Sequence, residues 1–102
     1  MSRYILAPAA QEDLAAIRDY YLNEAGYRIT RQMLVEFANA FRAIARNPRI
    51  GHRREDLAAD RPILFWPMRD FLIIYRSATK PVEIVTVAHA SRDIAVILKR
   101  RD

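Results

Sequence analysis

The hydrophobic period changes once along this chain of 102 residues, and the change limits the fold more than any other feature. Up to about residue 46 apolar side chains recur every three or four positions. Beyond about residue 63 they run unbroken or alternate. The first half therefore reads as helices that each carry one apolar stripe, and the second as strands whose faces need a cover. Each half supplies what the other lacks.

In "PAAQEDLAAIRDYYLNEAG", Ala10, Leu14, Ile17 and Tyr21 stack on one helical face and predict a helix from Pro8 to Ala25. Glu12 and Asp13 are expected in its first turn, where the helix dipole favours negative charge, and Gly26 offers a left-handed stop. A second stripe, Ile29, Met33, Phe37, Phe41 and Ile44, with Ala40 and Ala45 beside it, ends at Asn47-Pro48, because proline lacks the next helical N–H. So short a connection packs the two helices as an antiparallel hairpin. Tyr20, Tyr21, Phe37 and Phe41 read as packing residues of that hairpin, and Trp66 as the exposed aromatic.

Ahead of the hairpin, "RYIL" (Arg3 to Leu6) reads as a brief strand stopped by Pro8. After the polar, basic loop "NPRIGHRREDLAADRP" come three strands: "ILFW" ending at Pro67, "DFLIIYR" from Asp70 to Arg76, and "VEIVTVAH" from Val82 to His89. Phe71 to Tyr75 is apolar at every position, as in a strand covered on both faces or flanked on both sides. "SRDIAVILKRR" predicts a short C-terminal helix capped by Ser91. The fold class is α+β, with an antiparallel α-helical hairpin packed in two layers on a small, mostly antiparallel β-sheet, in the order β-α-α-β-β-β-α, as one domain over residues 1–102.

Composition removes several function classes. The chain has no cysteine, which excludes disulfides and thiolate metal sites and suits a reducing cytosol. Its two glycines, Gly26 and Gly51, are isolated, so there is no phosphate loop. Only two histidines occur, His52 and His89. Neither a metal nor a cofactor is expected. No apolar run reaches the roughly 18 residues of a membrane span, so the expectation is a soluble, cytoplasmic chain with no membrane partner.

The net charge of +5 is uneven. Residues 1–41 hold four basic and five acidic side chains, whereas residues 42–102 hold thirteen basic and seven acidic ones. Arginine supplies most of the positive charge, which favours bidentate pairing with carboxylate or phosphate. An anionic partner, nucleic acid or acidic polypeptide, fits this pattern.

His89 sits where the last strand ends, and His89, Ser91 and Asp93 lie within five residues. A Ser-His-Asp triad is set by geometry between separate elements, so this local spacing is better explained by helix capping. As a general acid or base His89 would need arginines to steady developing phosphate charge, and Arg69, Arg76, Arg92 and the Arg53-Arg54 pair lie near the same strands.

The segments "EDLAAIRDYY", "AFRAIARNPRIGHRREDL", "RDFLIIYR", "VEIVTVAH" and "SRD", in that order and spacing, resemble the ParE branch of the ParE/RelE toxins of bacterial type II toxin–antitoxin modules. The resemblance spans Tyr4 to Leu98. It implies the fold just derived, a growth-arresting activity, and a hetero-oligomer with a small ParD-like antitoxin whose acidic tail suits the basic second half, at Arg53, Arg54 and Arg76. In this branch the usual target is DNA gyrase, whereas RelE-like relatives are ribosome-dependent endoribonucleases that cut messenger RNA. Where the nucleases tend to carry an arginine and a C-terminal aromatic acid, this chain has Leu72 and Leu98. No catalytic residue is therefore expected. The resemblance implies gyrase inhibition by protein contact through Trp66, Arg69, Arg76, Arg92, Lys99, Arg100 and Arg101, without sequence-specific DNA binding by this chain alone. The alternative is a nuclease using His89, Arg69 and Arg92.

Overall fold

Alternation of core residues along the strands at positions 63–89 gives a sheet with two apolar faces, and each face has its own helical cover. The structure is a computed structural model that describes residues 3–58 and 61–100. Its elements are β1 (Tyr4–Leu6), α1 (Pro8–Glu24), α2 (Tyr27–Arg46), α3 (Glu55–Ala58), β2 (Ile63–Met68), β3 (Phe71–Arg76), β4 (Val82–His89) and α4 (Ile94–Arg100). The sheet runs β1-β4-β3-β2, antiparallel except for β1, which lies parallel to β4. This is the α+β fold expected of the sequence. Among the described residues no helix is long and apolar enough to cross a membrane.

On one face lies the hairpin of α1 and α2. Ala10, Met33, Phe37, Phe41 and Ile44 meet Phe71, Ile73, Tyr75, Ile84 and Val87 of the strands. Gly26 joins the helices at φ 84, a conformation that only glycine adopts without strain. The stripe of α2 begins one residue later than its spacing predicts. Thr30 is buried, bonding the Gly26 carbonyl through Oγ1 at 2.8 Å, while Ile29 is exposed. Polar Thr30 can fill the site because the helix start supplies an acceptor. Glu12 and Asp13 also lie beyond the first turn of α1, since the helix already starts at Pro8.

The opposite face is not bare, so the arrangement exceeds two layers. Ile63, Phe65, Ile74 and Ala88 pack there against Ala58, Ile94 and Leu98 of α3 and α4. The short α3 lies inside the segment read as a polar loop. The cap of α4 is Asp93 rather than Ser91: Asp93 Oδ1 accepts the Val96 N–H at 3.2 Å.

Two local features set the register. A β-bulge between β3 and β4 pairs Ile74 with Thr86 but Tyr75 with Ile84, so Val85 has no opposite residue. Ile84 and Val87 consequently face the same hairpin, which strict alternation forbids. On the outer strand, β2 continues through Pro67 to Met68 instead of ending there. Phe65 exchanges both backbone bonds with His52 outside the sheet, so the N–H that Pro67 lacks would have pointed to that same open edge. Proline thus blunts the edge without breaking the ladder.

A single tyrosine ties the loop after α2 to the sheet. The Tyr75 hydroxyl donates to the Pro48 carbonyl at 2.7 Å and accepts the Gly51 N–H at 2.8 Å. A Cβ on Gly51 would lie 2.6 Å from that oxygen, so the close approach requires glycine.

Candidate functional site

β1 is too short to cover β4. It pairs only with Val82, Glu83 and Ile84, which leaves the outer edge of β4 without a strand partner toward its C-terminal end. α1 fills part of that gap: Asp13 Oδ2 accepts the Val87 N–H at 2.9 Å, standing in for a missing carbonyl. One turn further on, Ala16 and Ile17 form one wall of a cleft of about 290 Å³. Phe71, Val87 and His89 contribute the sheet side, and Arg92, Ile97 and Arg100 the wall from α4 and its approach.

The hydrogen bonds at Nδ1 favour one tautomer of the neutral His89 ring. The Ser91 N–H, which can only donate, points at Nδ1 from 3.1 Å, and Ser91 Oγ lies 2.6 Å from the same nitrogen. Nδ1 is therefore an acceptor, and in the neutral ring the proton sits on Nε2. The ring meets Phe71 edge-on, with centroids 5.5 Å apart. The next turn is closed by the Arg92 N–H donating to the His89 carbonyl at 3.0 Å, which places Arg92 beside the histidine. Asp93, committed to the cap of α4, does not complete a triad with Ser91 and His89. Among the described residues no three His, Cys, Asp or Glu side chains cluster as a metal site requires.

The structure scatters the residues proposed as one target surface. His89, Arg92 and Arg100 line the cleft together. Arg69 stands in the β2–β3 turn at φ 54 and is gripped by Glu36 of α2 through two bonds of 2.8 and 2.6 Å. That grip, chiefly the hydrogen bonds, holds the Glu36 carboxyl below its usual value and raises the Arg69 guanidinium. Arg76 is at the other end of β3, paired with Glu83 at 3.0 Å. Trp66 is half-buried against the hairpin core and stacks on His52 with centroids 6.0 Å apart. It is not the exposed aromatic, a role that falls to Tyr20 and Tyr27, 61% and 71% exposed. Lys99 is exposed on α4, and Arg101 lies outside the described residues.

Of the residues considered for the antitoxin, Arg54 is held by Asp56 in two bonds of 3.1 and 2.9 Å. Arg53 is exposed next to it, and Arg76 is paired with Glu83 as above. Leu98 is 1% exposed in the core of the second face, so its side chain does not reach the cleft, and Leu72 lies against that same core. Sequence reasoning missed Asp13, Ile17, Phe71 and Ile97 as parts of the cleft. One signal was available: a strand of three residues beside one of eight leaves an edge that some other element has to satisfy.

The family described as ParE toxin of type II toxin-antitoxin system, parDE, matches residues 4–94. Among solved structures, one titled "Chromosomal ParDE TA system from P. aeruginosa" is similar in fold, with a TM-score of 0.72 at 16% identity over 87% of this chain and 96% of that one. No curated protein sequence matches the chain.

Proposed function

Because the chain belongs to the ParE toxin family of type II toxin–antitoxin systems, we propose that it is a growth-arresting toxin that inhibits DNA gyrase by binding it and is neutralised by a cognate antitoxin. The observation set against a general-base role is the hydrogen bonding of His89, whose Nδ1 accepts the Ser91 N–H and so is already engaged within its own turn. Of the other residues a nuclease would draw on, Arg92 lines the cleft with His89, whereas Arg69 is engaged by Glu36 and Leu98 is buried behind the sheet. Positive charge on Arg92, Lys99 and Arg100 near one end of the fold supports recognition of an acidic protein surface. An acidic antitoxin tail answers the same charge.

Supercoiling by purified gyrase is the direct test. Inhibition that grows with toxin concentration supports the reading, and unaffected supercoiling at high excess sinks it. Pulse-labelling after induction of the chain alone should show DNA synthesis falling before protein synthesis.

The endoribonuclease reading is favoured by one observation, the shared cleft of His89 and Arg92. It requires His89→Ala to lose toxicity while the folded protein still binds antitoxin. Retained toxicity in that variant rules it out.

A further inference from the structure

We propose that the cleft between α1, β4 and α4 is a carboxylate-binding site that takes an acidic side chain from an amphipathic protein segment; the identification of that segment with the antitoxin tail rests on the reading above. Three basic side chains belong to its lining: His89, whose Nδ1 is taken by the Ser91 N–H, Arg92 and Arg100. Neither arginine has an ion pair among the described residues, in contrast to Arg54, Arg69 and Arg76, each of which holds a carboxylate. The one acidic side chain in the lining, Asp13, uses Oδ2 on the Val87 N–H. An excess of positive charge is thus left in a cleft whose other walls are apolar.

The apolar walls select the occupant. Ile17, Phe71, Val87 and Ile97 stand beside basic side chains that are themselves exposed, so a bound carboxylate is answered by charge and its apolar neighbour by the walls. At about 290 Å³ the cleft is at the lower limit of the roughly 300–1,000 Å³ of small-molecule pockets, a size suited to one acidic side chain and an apolar neighbour. A nucleotide of a single strand is normally held by stacking on an open aromatic face. Phe71 offers none, being 6% exposed and covered edge-on by the imidazole.

NMR on the folded full chain tests this without knowledge of the natural partner. The probe is the capped peptide Ac-Leu-Glu-Leu-NH2, titrated while the methyl signals of Ile17, Val87 and Ile97 are followed, with Ac-Leu-Gln-Leu-NH2 and uridine 5′-monophosphate as the other two arms. Saturable shifts with the Glu peptide, absent with the Gln peptide, are expected. Arg92→Gln and Arg100→Gln should each weaken binding about tenfold, the loss of one charge-assisted bond. Arg46→Gln, an exposed change at the end of α2, should leave it unaltered.

Absence of saturable shifts, or equal binding of the two peptides, overturns the proposal. Tighter binding of the nucleotide than of the Glu peptide at the same methyls overturns it in favour of a nucleic-acid phosphate site. Growth arrest by the wild-type chain and its relief by antitoxin are scored separately, so a failed toxin reading and a failed carboxylate site give different results.

Discussion

Replacing Tyr75 by phenylalanine removes one oxygen atom and should detach the loop that follows α2. The Tyr75 side chain is 0% exposed, and its hydroxyl satisfies two backbone groups of the loop at once, the Pro48 carbonyl at 2.7 Å and the Gly51 N–H at 2.8 Å. Each neutral hydrogen bond is worth about 1 kcal/mol net, and stranding a buried partner costs about 1–3 kcal/mol. Because the loop is only partly buried, water can reach some of what is lost, so the expected destabilisation is about 2–3 kcal/mol. For a domain of this size that is a fall in Tm of roughly 10 °C or more.

Urea unfolding should show a lower midpoint at unchanged slope. The only tryptophan, Trp66, stacks on His52 at the end of the same loop and reports the change by fluorescence. A second substitution sharpens the test. Gly51→Ala puts a Cβ 2.6 Å from the Tyr75 hydroxyl and 2.9 Å from its ring, so it should destabilise the wild type strongly and the Tyr75→Phe protein less, where the nearer contact is gone. Stability of Tyr75→Phe within about 0.5 kcal/mol of the wild type, or strict additivity with Gly51→Ala, would refute the reasoning.

Thr86 Oγ1 is buried with no hydrogen-bond partner among the described residues, so Thr86→Val should raise stability by about 1 kcal/mol in the same urea titration. Arg69 holds φ 54 in a two-residue turn where glycine is favoured. Both Arg69→Ala and Arg69→Gly lose the Glu36 pair, but the glycine variant should unfold at the higher midpoint, by about 1 kcal/mol, because only the alanine keeps the backbone strain. Asp13→Ala strands the Val87 N–H and should cost about 1–2 kcal/mol, while Asp13→Asn keeps a carbonyl acceptor there and should cost less; faster hydrogen exchange at the Val87 amide in the alanine variant alone is the accompanying sign. Burial raises the Tyr75 phenol above its ordinary value of 10.0, against a smaller lowering by the Gly51 bond. The folded state thus holds this proton more tightly than the unfolded one, and the contribution is complete below about pH 10 and lost as pH rises through the raised value. Stability should decline above pH 10 in the wild type, and less steeply in Tyr75→Phe.

The amino-acid sequence by itself determined the kinds of element and their order, because hydrophobic period is a local property. A spacing of three and four along Met33, Phe37, Phe41 and Ile44 can only be one face of a helix, and Asn47-Pro48 stops that helix through its own backbone chemistry. The family was legible for a related reason, since the segments that carry it are contiguous. Tertiary structure decided whatever joins residues far apart in the chain. "NPRIGHRREDL" and "FLIIYR" are separate motifs in sequence, yet the Tyr75 hydroxyl makes them one unit across 24 positions. Asp13 looks like a helix-start carboxylate and serves instead as the missing neighbour of a strand 74 positions away.

Charge was the least legible feature of all. Arg69, Arg76 and Arg92 are alike in composition, but the fold gives the first to Glu36, the second to Glu83, and leaves the third beside His89. An arginine reaches several ångströms from its backbone, so its partner is set by which carboxylate the packing of the core brings within range.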